Sequence, residues 1–266
     1  MKKSKILVPA LGILALGMSA AVTGTVAWFS TNRTVYANGI QFQSATAQSL
    51  VIALAEEGPW GTVVNHNVAA KDATLMPAYL LDTLTDNKKT YSNSEKPSFV
   101  ELNTTFMNAN SSTYYVAADG KVKKVADDSV VTPAKPGAEA GPFQEAGTTA
   151  VKIFDDYLKI DGGTTDTATY TKITVAKADT SSNENIDKAL RVGFFDGTNF
   201  EICTPFPALT DASYTFKPSA TFDVNGTAKK VSIYVWYDGE DAACINANAI
   251  ENPINVTAVY SLDAFN

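Results

Sequence analysis

Few side chains in this sequence carry chemistry. One histidine, His66, stands in the polar run Asn65-His66-Asn67, and two cysteines, Cys203 and Cys244, lie far from it. A zinc protease of the HExxH type needs two imidazoles one helical turn apart, so a lone histidine excludes that chemistry, and His66 reads as a surface-loop residue. No GxSxG, P-loop or strand-linked GxGxxG occurs. A Cys–His nucleophile pair would have to join His66 to Cys203 or Cys244, and no local pattern supports it. The acidic runs are Asp155-Asp156, Asp161 with Asp166, and Asp238-Gly239-Glu240-Asp241. Calcium wants roughly six to eight oxygens. Asp238, Glu240 and Asp241 are the nearest approach to such a set, but they lack EF-hand spacing and read as a solvated turn. No catalytic residue, resident metal or cofactor is assigned, and the chain is expected not to be an enzyme.

The elements that would position these groups are strands. Period-two alternation recurs in short segments bounded by Gly, Pro, Asn, Asp and Ser. Val231–Tyr237 places Val231, Ile233, Val235 and Tyr237 on one face, and Ile254–Leu262 does the same with Ile254, Val256, Ala258, Tyr260 and Leu262. Further strands are expected at Ile40–Gln43, Leu50–Ala55, Tyr170–Ala176, Ala189–Phe195 and Tyr214–Phe216. Asp119-Gly120 between Tyr114–Val116 and Lys121–Val125 signals a hairpin. Phe154–Ile160 and Asn185–Leu190 have room for a helical turn or two. Residues 126–150, with Pro133, Pro136 and Pro142 among Ala, Gly, Ser and Thr, read as an extended, exposed insertion within one domain. Many short strands with turn chemistry between them argue for an all-β fold, a jelly-roll-like antiparallel β-sandwich spanning 45–266.

Composition sets the compartment. Lys2, Lys3 and Lys5 precede a run from Ile6 to Phe29 without a charged side chain, the pattern of a helical secretion signal. The cut is expected after Ala27, so that Trp28 opens the mature chain. The run is also long enough for a retained membrane anchor (about 20 residues suffice), although Pro9, Gly12, Gly17 and Gly24 interrupt it. Residues 1–27 hold three lysines and no acid, so cleavage would move the net charge from −7 to −10. Such a surface repels phosphate backbones and excludes nucleic acid as a partner. An oxidising exterior permits Cys203 and Cys244 to pair, or both remain buried thiols.

The expected new N-terminus is apolar: Trp28 and Phe29, then Val35, Tyr36, Ile40 and Phe42. Such side chains stabilise a fold only when buried, by about 1.5–3 kcal/mol for a Phe. Residues 28–44 therefore either tuck into their own domain or add a strand to a neighbouring copy, and head-to-tail donation of that kind does not close.

The junction Gly24-Thr25-Val26-Ala27-Trp28-Phe29-Ser30 resembles the boundary of exported Gram-positive proteins processed by SipW-type signal peptidases, the TasA and camelysin family of biofilm-matrix proteins. Ala37-Asn38-Gly39-Ile40-Gln41-Phe42 is similar to that family's first strand. Ala189–Val192 and Trp236–Cys244 look like segments of other secreted proteins with this signal type. The resemblance covers residues 1–44 distinctively and little of 56–185. It implies a jelly roll, secretion to the matrix or cell surface, and fibres built by N-terminal strand exchange between copies of the chain or related matrix proteins. Signal peptidase is the partner during export. The metallopeptidase activity ascribed to camelysin does not carry over to a chain with one histidine. The alternative function is a monomeric adhesin or binding module.

Overall fold

The computed structural model describes residues 40–44, 50–66, 76–92, 94–103, 114–117, 121–137, 141–162, 165–177, 186–203, 213–244 and 254–265. The expected signal, its cleavage point and Trp28 to Tyr36 lie outside them, as does Asp119-Gly120. Among the described residues the regular structure is mostly β-strands, with almost no helix. Three strands come first: β1 (Ile40–Ser44), β2 (Leu50–Ala53) and β3 (Val63–His66). Six short ones follow: β4 (Pro77–Leu80), β5 (Lys88–Thr90), β6 (Phe99–Leu102), β7 (Tyr114–Val116), β8 (Val122–Lys124) and β9 (Phe143–Glu145). Then come β10 (Val151–Ile160), β11 (Thr167–Lys177), β12 (Leu190–Phe195), β13 (Asn199–Cys203), β14 (Ser213–Phe216), β15 (Phe222–Val224), β16 (Lys229–Asp238) and β17 (Ile254–Ser261). A 3-10 turn, Ile186–Ala189, accounts for the short helical signal before β12.

Two sheets enclose the main core. The first runs β14-β11-β17-β1-β3, with β15 also on β11. The second is centred on β16. β12, β13 and β5 extend it one way; on the other side β10 and β2 flank the first part of β16, and β4, β6 and β9 take over at Tyr237 and Asp238. β1–β17 and β4–β16 are parallel, which corrects the expectation of a purely antiparallel fold. Neither pair is joined by a hairpin, so no tight turn imposes the antiparallel sense. Ile52, Leu158, Ile173, Val192, Ile233, Val256 and Ala258, from both sheets, are fully buried between them.

The stretch Phe154–Ile160 is the second half of β10 and not helical. Its burial alternates, with Phe154, Asp156, Leu158 and Ile160 inward, and its ladders run to β16 and β2. A 3.6-residue stripe would have left half of those side chains in water.

β16 is buried on both faces. Val231, Ile233, Val235 and Tyr237 enter the main core, as the alternation predicts, while Tyr234 and Trp236 enter a second core behind the sheet. There Phe99, Phe195, Phe200 and Tyr91 close over them. Gly193 makes this possible: a Cβ at that position would stand 2.4 Å from the Phe200 ring. A third cluster, Tyr79, Val100, Leu102, Val122 and Phe143, joins β4, β6 and β9 to β8, which pairs with β7. Of the stretch read as an exposed insertion, residues 126–128, 130, 132 and 134–137 are solvent-facing. Phe143 and Ala150 are buried, and β9 completes the sheet beside β6.

Candidate functional site

β1 is the element the sequence marks out, and its setting defines the site. It lies inside its sheet, not at an edge. On one side it pairs in parallel with β17, Phe42 opposite Ala258 and Ser44 opposite Tyr260. On the other it pairs antiparallel with β3, from Ile40 opposite His66 to Gln43 opposite Val63. Of the expected self-association residues, Ile40 and Phe42 thus fall on ladder positions, while Trp28, Phe29, Val35 and Tyr36 lie outside the described residues. β3 ends the sheet, and among the described residues its ladder is with β1.

Behind β1 the sheets are linked by a buried carboxylate. Asp156 projects from β10 into the core at 0 % exposure. The Tyr260 hydroxyl on β17 donates to its Oδ2 at 3.0 Å, and His66 Nε2 on β3 lies 2.9 Å from its Oδ1. His66 is therefore not a surface-loop histidine: it is a strand residue, mostly covered, with its ring edge-on to Phe154 at 5.3 Å. Burial pushes the Asp156 carboxyl above the usual carboxylate range; bonding to His66 and Tyr260 opposes that shift, and Asp155 adds to it. Asp155 points the other way, to Ser232 Oγ (2.6 Å) and Lys230 Nζ (2.7 Å). Sequence reading missed Asp156 and Tyr260 as a pair. The available signal was the place of Asp156 on the apolar phase Phe154, Asp156, Leu158, Ile160.

The acidic loop after β16 is engaged internally. Arg191 on β12 reaches Asp241 Oδ2 at 2.6 Å and Asp238 Oδ2 at 3.4 Å. The other oxygen of Asp238 accepts the Glu240 N–H, and that of Asp241 the Ala243 N–H. Among the described residues no group of three or more His, Cys, Asp or Glu is placed to hold a metal ion. Arg191→Met should cost about 1.5–3 kcal/mol, the range for hydrogen bonds to charged groups. Millimolar calcium should leave the wild-type melting temperature unchanged. A calcium-dependent rise would restore the ligand reading of Asp238, Glu240 and Asp241.

Cys244 carries a free thiol packed in the main core, and burial, with Asp238 and Asp241 nearby, raises its pKa well above the ordinary value. It stays protonated, and a protonated thiol is a poor nucleophile. The Cys203 backbone pairs with Val192, and its side chain lies outside the described residues. The arrangement as a whole orients and ties strands: an internal strand fed from the N-terminal side, flanked by β17 and β3, with one carboxylate bonded to both flanks. No family model matches the chain, and neither a curated protein nor a solved structure is found to match it.

Proposed function

We propose that this chain is an exported structural protein of the extracellular matrix or cell surface, with a jelly-roll fold of the TasA and camelysin kind, whose copies join by exchanging β1. It is not an enzyme in this reading. Export rests on the lysine-led apolar start and the Gly24–Ser30 junction, with cleavage after Ala27.

The observation that carries the assembly reading is the place of β1. Its two neighbours are β17, from the far end of the chain, and β3, reached only after β2 has crossed to the other sheet. No tight turn joins β1 to either, so a β1 from a second copy can make the same ladders in the same register. This is domain swapping, and when the swap runs head to tail it builds a filament. The acceptor in this form is the slot between β17 and β3, in place of the open sheet edge that strand addition ordinarily uses.

A crosslink tests it. Phe42→Cys with Ala258→Cys joins directly paired positions of β1 and β17. Protein beginning at Trp28 should form filaments at high concentration under negative-stain microscopy. The oxidised double variant should stay dispersed and should recover filaments on reduction. Deleting Trp28–Tyr36 should also leave a folded monomer. Filaments from the oxidised variant would sink the exchange reading, and dispersed particles from the unaltered chain would favour a monomeric adhesin.

A further inference from the structure

We propose that the Tyr260–Asp156–His66 tie is a positioning device that holds β3 beside β17 at one strand's width, so that the vacated slot still accepts β1 from a second copy. The inference rests on the exchange reading and adds to it how the acceptor survives without its own strand.

The need for such a device follows from the topology. When β1 leaves, β3 loses its ladder from Val63 to His66. Four residues with both backbone edges in water do not hold a place in a sheet. Val64 packs against the main core, and among the described residues two polar attachments independent of β1 stand near the two ends of β3. At its start, Gly61 exchanges hydrogen bonds with Ile52 of β2, 2.8 and 2.9 Å long. At its end, His66 meets Asp156 of β10. Both anchors belong to the opposite sheet, which does not lose a strand in the exchange. The same carboxylate takes the Tyr260 hydroxyl, so the other wall of the slot is fixed from the same point.

A slot held in this way presents the unpaired N–H and C=O groups of both walls at the spacing of a missing strand. Binding then costs less ordering of the acceptor, which is how preorganisation raises affinity. The groups facing Asp156 are His66 from β3 and Tyr260 from β17; Asp155, its chain neighbour on the opposite face of β10, is bonded to Lys230 and Ser232 of β16. β2, which borders the inner half of β10, contributes Leu50–Ala53 and no titratable group.

The test uses the chain from Trp28 with Phe42→Pro, which removes an N–H from the middle of β1 and blocks its ladders. Uptake of a fluorescent peptide of residues 36–46 is read by anisotropy. The Phe42→Pro chain should bind the peptide. Adding Asp156→Ala should weaken binding at least tenfold, whereas Asp156→Asn, which keeps an acceptor for Tyr260 and a hydrogen-bonding group for His66, should retain it. His66→Phe keeps a ring against Phe154 and cuts the β3 end alone; it should also weaken binding, and it serves if the alanine variant fails to fold. Equal binding by Phe42→Pro with and without His66→Phe would overturn the tie while leaving strand exchange standing. No binding by Phe42→Pro with the tie intact would instead overturn the exchange reading beneath it.

Discussion

Trp236→Ala should lower the stability of the folded chain by about 3–5 kcal/mol, the range for emptying a large aromatic site in a core. In a chain of this size each kcal/mol moves the melting temperature by roughly 2–4 °C, so a fall of roughly 6–20 °C is expected. The site explains the size of the effect. Trp236 is 1 % exposed, its ring lies edge-on to Phe99 at 5.0 Å and stacks over Phe200 at 6.5 Å, and Gly193 leaves the space beneath. These contacts join the central strand of the second sheet to the layer behind it. Trp236→Phe should cost less than half as much. The indole N–H is buried and has no hydrogen-bond partner among the described residues, so its removal relieves a desolvation cost of about 1–3 kcal/mol and offsets part of the lost packing. Urea or thermal unfolding of the two variants decides this. An alanine variant within about 1 kcal/mol of wild type would mean that the outer layer does not support β16.

Asp156→Asn should gain stability relative to wild type as pH rises from 4 to 8, because burial penalises the charged carboxylate while asparagine keeps an acceptor for Tyr260 without carrying a charge. Because burial raises the Asp156 pKa in the folded chain, the native state binds this proton more tightly than the unfolded state does. The stability linked to that proton is fully present below the ordinary aspartate value and is lost as pH rises through the raised folded value. The advantage of asparagine should therefore be largest at neutral to alkaline pH and shrink as pH falls toward 4, because wild type regains a neutral group there. Asp156→Ala should destabilise at every pH, since it leaves the Tyr260 hydroxyl, fully buried, without this acceptor. A gap between asparagine variant and wild type that is constant from pH 4 to 8 would show that Asp156 does not carry the cost assigned to it.

Strands with uninterrupted alternation were legible from sequence alone. Val231–Tyr237, and Val256, Ala258 and Tyr260 of β17, pack along the faces that their period indicates, because each strand spans enough residues for burial to leave its mark. β10 was not legible: Asp155-Asp156 breaks its apolar phase, and a buried aspartate looks polar until its partners are known. Those partners lie on β3 and β17, distant in sequence. His66 was misread for a related reason, since its neighbours Asn65 and Asn67 mimic a loop while Val63 and Val64 before it begin a strand. The layer behind β16 left little trace, because β5 and β9 are only three residues long and a period cannot be read from three positions. That residues 40–44 form a strand was readable. That they lie parallel to the last strand was not, because a parallel ladder between the two ends of a chain has no turn to announce it.

The parallel sense of β1 and β17 has a mechanical meaning. Tension applied by drawing the two chain ends apart runs along both strands in opposite directions, so the bonds from Phe42–Ala258 to Ser44–Tyr260 are loaded in shear and carry the force together. An antiparallel pair pulled from the same ends would open like a zip, one bond at a time. If β1 comes from the next copy, the join between copies inherits that geometry, and a thread of such subunits resists stretching along its length at the place where separate molecules meet.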